Sequence, residues 1–280
     1  MKTLSVAPLA KREQEKIFAA NRAVGRIALS VGAQGGQSRR SRVYEEGSLR
    51  VRFPNAEGLE AVIVNTAGGI AGGDRFEIAL SLGADASLVA GSAAAEKVYR
   101  SDGADAAVAV KLAVGSGARL SWLPQETILF DRARLSRSID VELAEDASLV
   151  LAEAIVFGRA AMGETVVSGH LIDRWRVRRG GKLVFAETLR LGGAIAEKLA
   201  APAIANGNIA IATVLLAPGD AAQVAAVRAR DGTWQGEAAI SAWNGIAVAR
   251  LCARDGAALR HDLIALLAAL GTPVPRLWLN

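Results

Sequence analysis

The chain is poor in the two side chains that hold soft transition metals: one cysteine and two histidines in 280 residues. One Cys excludes an internal disulfide, and with it a secreted fold stapled by disulfides. The three side chains together fall short of a closed four-ligand Cys/His zinc site. Any metal bound here must lean on carboxylates, carbonyls, water or a partner chain. Aromatic residues are scarce at 5%, so the core must be built mostly from Val, Leu, Ile and Ala. The longest uncharged stretch, Leu199 to Gly219, is interrupted by Pro202 and Asn206-Gly-Asn208. That makes it a poor membrane span. The first twenty residues carry Lys11, Arg12, Glu13, Glu15 and Lys16 and have no apolar centre of the kind a signal peptide needs. Residues 1–20 therefore read as a mobile tail, residues 21–280 as one domain, and the compartment as cytoplasmic.

What is present is a globular composition, 51% hydrophobic and 22% charged, with a formal charge of +5. Arginine dominates the cations, with short clusters at Arg39-Arg40-Ser41-Arg42 and from Arg174 to Arg179. Three readings stay open: a solvated Arg-rich surface, a nucleic-acid patch, or a face that meets an acidic protein. No zinc-finger spacing or basic-region heptad accompanies the charge.

From Arg22 to about Val214 the apolar residues alternate with period two, as in Ile27, Leu29, Val31 and again Leu49, Val51, Phe53. Such alternation marks half-buried strands. Five Gly pairs punctuate it. A weak repeat runs through Leu80-Ser-Leu82 with Ala86-Ser-Leu88, Val110-Lys-Leu112 with Ala118-Arg-Leu120, and Val141-Glu-Leu143 with Ala147-Ser-Leu149. A spacing near thirty residues suits stacked repeats, although antiparallel hairpins also produce such units. The preferred reading is a mainly β, β-helix-like stack of strands in a single domain. A few α-helices are expected near the C-terminus. Asp220 is placed as the N-cap of one, with Val224 and Val227 on its inner face. A second, about Ala257 to Leu270, carries the stripe Leu259, Leu263, Leu266, Leu267 and Leu270 and is closed by Gly271.

Four stretches bear functional groups. Asn65-Thr-Ala-Gly-Gly-Ile-Ala-Gly-Gly-Asp74 lacks the Gly-Lys-Ser/Thr of a P-loop. It reads either as an anion cradle or as a tight turn fixed by Asp74. Glu96-Lys-Val-Tyr-Arg-Ser101 crowds four polar groups into five positions. Trp122-Leu-Pro-Gln-Glu-Thr-Ile-Leu-Phe-Asp131 holds the carboxylates Glu126 and Asp131. Paired carboxylates serve glycoside hydrolysis when correctly separated, but odd spacing on a strand puts these two on opposite faces. In Phe157-Gly-Arg159-Ala-Ala-Met-Gly-Glu164, Arg159 and Glu164 can form an ion pair. Cys252, between Leu251 and Ala253, reads as buried and inert. No nucleophilic triad has local support.

Taken together and in order, these stretches resemble the urease accessory protein D family, called H in some organisms. Asp173-Arg-Trp175 fits the same family, and the resemblance runs from about Arg22 to Trp278. It implies a non-catalytic maturation factor with a β-rich, solenoid-like fold. It further implies binding to apo-urease and to accessory protein F, and through F to the nickel-carrying GTPase G, in a dimeric assembly. Nucleic acid and membrane are not implied partners. No cofactor is expected to be tightly bound. Nickel(II) is expected only in transit, through an internal tunnel proposed for the family. Candidate positions for that path are Asp74, Glu96, Glu126, Asp131, Glu153 and Glu164. Arg100, Leu277 and Trp278 are candidates for a partner interface. The competing readings are a carboxylate-dependent carbohydrate hydrolase using Glu126 and Asp131, and a basic nucleic-acid-binding module.

Overall fold

The structure, a computed structural model, describes residues 22–159 and 162–279. The tail expected over residues 1–20 lies outside the described residues. Two sheets face each other. The first has seven strands, in spatial order β14 (Lys182–Ala194), β13 (Ser168–Arg179), β11 (Arg134–Leu143), β8 (Ala106–Val114), β5 (Arg75–Leu82), β1 (Val24–Gln34) and β2 (Gln37–Gly47). The main path of the second runs β16 (Glu237–Trp243), β17 (Ile246–Ala253), β15 (Ala210–Ala217), β12 (Ser148–Phe157), β9 (Arg119–Trp122), β6 (Ser87–Ser92), β4 (Glu60–Asn65) and β3 (Leu49–Arg52). Two short strands, β7 (Glu96–Val98) and β10 (Thr127–Leu129), add to the second sheet beside β12.

The chain climbs by crossing between the sheets. β1, β5, β8, β11 and β13 are parallel neighbours, and so are β4, β6, β9 and β12. Each coil lays one strand in each sheet, which is the stacked arrangement the repeat implied. Leu88 pairs in register with Leu120, and Leu120 with Leu149. On the facing sheet Ile78 pairs with Val110 and Val110 with Ile139. Both ladders face inward and are buried. Their apolar residues form one core cluster between the sheets.

The two sheets differ on their outer faces. The first shows strict alternation, buried inside and open outside, as in β5 and β11. In the second, β12 is buried on both sides from Leu151 to Phe157. Its outer residues Ala152, Ala154 and Val156 join a second cluster with the helix α3 (Gly256–Ala269), through Leu259, Leu263, Leu266 and Leu267. A strand covered twice reads as a continuous apolar run. That explains why β17 escapes a period-two reading, and β16, an edge strand exposed along most of its length, lacks the pattern for the opposite reason. The helix α2 (Ala221–Arg228) starts as expected, with Asp220 closing a capping box with Gln223. A short helix α1 (Ile195–Ala200) lies earlier than the helices read from the sequence. No helix among the described residues is long and apolar enough to cross a membrane.

The in-register ladder makes a direct prediction. Leu120→Ala should lower the unfolding free energy by about 3 kcal/mol, because its neighbours above and below are held by backbone pairing and cannot collapse into the gap. Leu183→Ala, at a position 51% exposed, should change it by less than about 0.5 kcal/mol. Denaturant unfolding of the two variants checks the contrast.

Candidate functional site

Three buried charged side chains interrupt the inward faces. In β11 the inward series is Leu135, Arg137, Ile139; in β13 it is Leu171, Asp173, Trp175; in β12 it is Leu151, Glu153, Ile155. Arg137 and Asp173 are register partners on adjacent strands of the first sheet. Glu153 reaches them from the second sheet. The Arg137 guanidinium is bidentate to Asp173, with Nε–Oδ1 at 2.9 Å and Nη2–Oδ2 at 2.6 Å, and its Nη1 donates to Glu153. Trp122 Nε1 donates to the other Glu153 oxygen at 2.8 Å. All three charged side chains are buried.

Burial pushes the Glu153 carboxyl up from the ordinary carboxylate range, against the pull of Arg137. Burial also disfavours the charge on Arg137, but Asp173 and Glu153 more than offset it and hold the guanidinium protonated. Fully ionised, the triad carries one negative charge.

Arg137 and Glu153 also form the partition between two voids. On one side lies a cavity of about 80 Å³, lined by apolar residues together with Asn65, Ser92, Glu96, Gln125 and Thr127. On the other lies a smaller void of about 20 Å³, bounded by Asp173, Glu187 and Thr213. Glu96 accepts a hydrogen bond from Asn65 Nδ2 at 3.0 Å, and the same amide donates to the Gly69 carbonyl. Burial raises the Glu96 carboxyl too, with the Asn65 bond opposing.

Of the six carboxylates singled out from the sequence, only Glu96 and Glu153 line this cavity. The other four are engaged elsewhere. Asp74 accepts from the amides of Ala23 (2.8 Å) and Ala71 (2.7 Å), and so fixes the glycine-rich turn as the simpler reading held. That turn is not an anion cradle: the Ile70 and Gly73 amides donate to the Lys97 and Asp105 carbonyls. Gly69, at φ +144°, lies under the Tyr99 ring, where a Cβ would come within 2.5 Å of Cε2. Glu126 is held by Arg260 of α3 at 2.8 and 2.6 Å. Asp131 accepts from the Ser168 amide at 3.0 Å. Glu164 pairs with Arg159 at 2.7 and 3.1 Å, which draws its carboxyl down, and the guanidinium lies 4.1 Å from the centre of the Phe130 ring.

The interface candidates also separate. Arg100 is exposed and pairs with Asp102 at 3.3 Å. Leu277 is half-buried. Trp278 is buried in its own chain, donating to the Leu123 carbonyl at 3.1 Å. Cys252 is half-buried rather than fully enclosed: it lies on the same side of β17 as Ile246 and Val248, beside Asn208, in a hollow shared with Glu187 and Leu189 of the facing sheet. Desolvation still raises its thiol. Among the described residues, no group of three or more His, Cys, Asp and Glu is placed to hold a metal ion.

Sequence reading missed Arg137. The available signal was a cation at an inward position of a period-two run, flanked by Leu135 and Ile139. Arg137→Met should cost about 3–5 kcal/mol by leaving two buried carboxylates without a counter-charge. Arg137→Met/Glu153→Gln/Asp173→Asn should cost less than the single change, as read by urea midpoints.

Glu96 gives a pH signature. Its carboxyl binds a proton more tightly folded than unfolded, so the native state holds more protons in the window above 4.5 and stability falls as pH rises through it. Glu96→Gln keeps an acceptor for Asn65 and removes that penalty. The variant should melt with the wild type at about pH 4 and above it at about pH 8. Equal melting temperatures at both pH values would refute this.

Residues 23–279 match the family described as UreD urease accessory protein. A protein of Rhodopseudomonas palustris named urease accessory protein UreD is 59% identical over 266 residues, covering 94% of this chain and 95% of that protein. A protein of the same name from Bradyrhizobium diazoefficiens is 56% identical over 94% of this chain and 96% of its own length. Another from R. palustris is 53% identical over the whole of both chains. The chain belongs to the UreD urease accessory protein family.

Proposed function

We propose that this protein is a cytoplasmic, non-catalytic maturation factor that links apo-urease to accessory protein F and the GTPase G, and that nickel(II) crosses its interior on the way to urease. The observation that carries the reading is the set of oxygen donors lining the cavity: Asn65, Glu96 and its register partner Thr127, then Glu153, with Asp173 behind the Arg137 partition. Carboxylate and amide oxygens are weak ligands for nickel beside imidazole and thiolate. Each of these carboxylates already has a partner, so a cation must compete for it. Weak, contested sites permit entry and release at every step, which is what transit requires.

Asp74, Glu126, Asp131 and Glu164 act on this reading by holding the walls rather than by touching the ion. We take the contact with accessory protein F to lie at the C-terminal end, and Arg100 to serve a partner interface. At the C-terminal end Arg260 ties α3 to Gln125, Glu126 and the Trp278 carbonyl. Trp278 serves by pinning the tail, which leaves Leu277 and the 66% exposed Leu279 at the surface. The assembly is taken to be dimeric.

Urease activation in cells tests the proposal. Deleting the chain should remove urease activity, and the wild-type chain should restore it. Glu96→Gln/Glu153→Gln should assemble with its partners but leave urease about ten-fold lower in nickel content and activity, a loss of about 1.4 kcal/mol per ten-fold step in effective affinity. Full activity in the deletion strain would sink the maturation reading. Full nickel content with the double variant would sink only the interior route.

A further inference from the structure

Among the described residues no helix covers the outer face of the first sheet, whereas that of the second is covered by α3 and the C-terminal tail. Register places the outward side chains in rows. One row runs Arg75, Ala107, Ser136, Ile172, Arg190 from β5 to β14. The next runs Arg26, Glu77, Ala109, Ser138, Arg174. A third contains Lys111, Asp140 and Arg176. Cations and acids thus share the face, but they do not cancel. Glu77 pairs with Arg26 at 3.6 Å and Glu142 with Arg178 at 3.8 Å. Among the described residues, Arg75, Lys111, Arg174 and Arg190 have no acidic partner.

Between Arg75 and Arg174 the face sinks into a hollow of about 260 Å³, with a floor of Ala107, Ala109, Ser136 and Ser138. Three strand spacings across and two residues along put the Arg75 and Arg174 backbones roughly 16 Å apart. Short neutral side chains at the centre with unpaired guanidinium groups at the rim make a seat for a ridge that carries acids along its two edges. Nucleic acid fits less well. Glu77, Asp140 and Glu142 would meet its phosphates, β5, β8, β11 and β13 present no outward Phe, Tyr or Trp for stacking, and a hollow cannot enter a groove.

The geometry points to this face as a docking surface for an acidic protein surface, with Arg75 and Arg174 as its principal charge contacts. The inference rests on the maturation reading in one respect: it takes the acidic surface to belong to urease. Cognate apo-urease is therefore the probe. Arg75→Glu/Arg174→Glu should weaken its binding at least ten-fold, and Arg75→Ala/Arg174→Ala by a smaller factor. Wild-type affinity should fall steeply between about 50 and about 300 mM salt, because exposed charges are screened over that range. Arg228→Glu/Arg254→Glu, an equal charge change at exposed positions outside this face, should leave binding unchanged. Thermal melting establishes that each variant is folded, as expected for exposed positions. Wild-type binding with an undiminished Arg75→Glu/Arg174→Glu variant overturns the assignment of the face and leaves the maturation reading standing. Tighter wild-type binding to duplex DNA than to apo-urease, lost in the same variant, overturns it in favour of nucleic acid. No wild-type binding to apo-urease overturns both.

Discussion

A buried guanidinium ties the two sheets together through charge. Arg137 projects from the first sheet into the core, takes Asp173 from its neighbour strand, and reaches across to Glu153 of the second. An arginine is suited to this because its planar fork can serve two carboxylates at once and stays charged when buried. The arrangement costs desolvation on three groups, and an apolar trio of the same volume would pack at least as stably. What the ions provide instead is position. They keep a polar wall upright inside a core whose other residues are Leu, Ile and Val, and the two voids exist on either side of that wall.

The stacking register makes such a wall possible. Coils separated by 32 and 29 residues return Leu88, Leu120 and Leu149 to one column, so length changes are absorbed in the turns and not in the strands. The next step on the first sheet, from Ile139 to Trp175, is longer. The extra length carries the loop with Arg159 and Glu164, which folds back on Phe130 while Tyr99 packs edge-on against the same ring at 5.2 Å. Motifs far apart in the chain thereby meet along one edge of the stacked coils. The result is a scaffold in which neighbouring coils fix one another, and the side chains lining the interior inherit that rigidity.

How much of this was legible follows from what each contact depends on. The ladder was visible because it is periodic. The Asp74 turn and the Asp220 cap were visible because their partners lie within a few residues. The Arg260–Glu126 pair spans 134 positions, and no local pattern announces it. Arg137 could have been found as a charge on an apolar face, but its partners could not, since Glu153 sits on the other sheet. The strands β16 and β17 hid for opposite reasons, one exposed along most of its length and the other buried on both faces from Ile246 to Ala249.

The carboxylates divide by environment, and the division bears on mechanism. Asp74, Glu126, Asp131 and Glu164 accept bonds from amides or arginines that compensate their charge, and such acids are structural. Glu96 and Glu153 face the cavity, and burial favours their neutral forms. On the proposed route a divalent cation would stabilise the ionised forms in their place. The scarcity of Cys and His fits the same proposal: with oxygen ligands alone along the route, the free energy of the ion would stay level from wall to wall, and direction would come from the partners at the two ends.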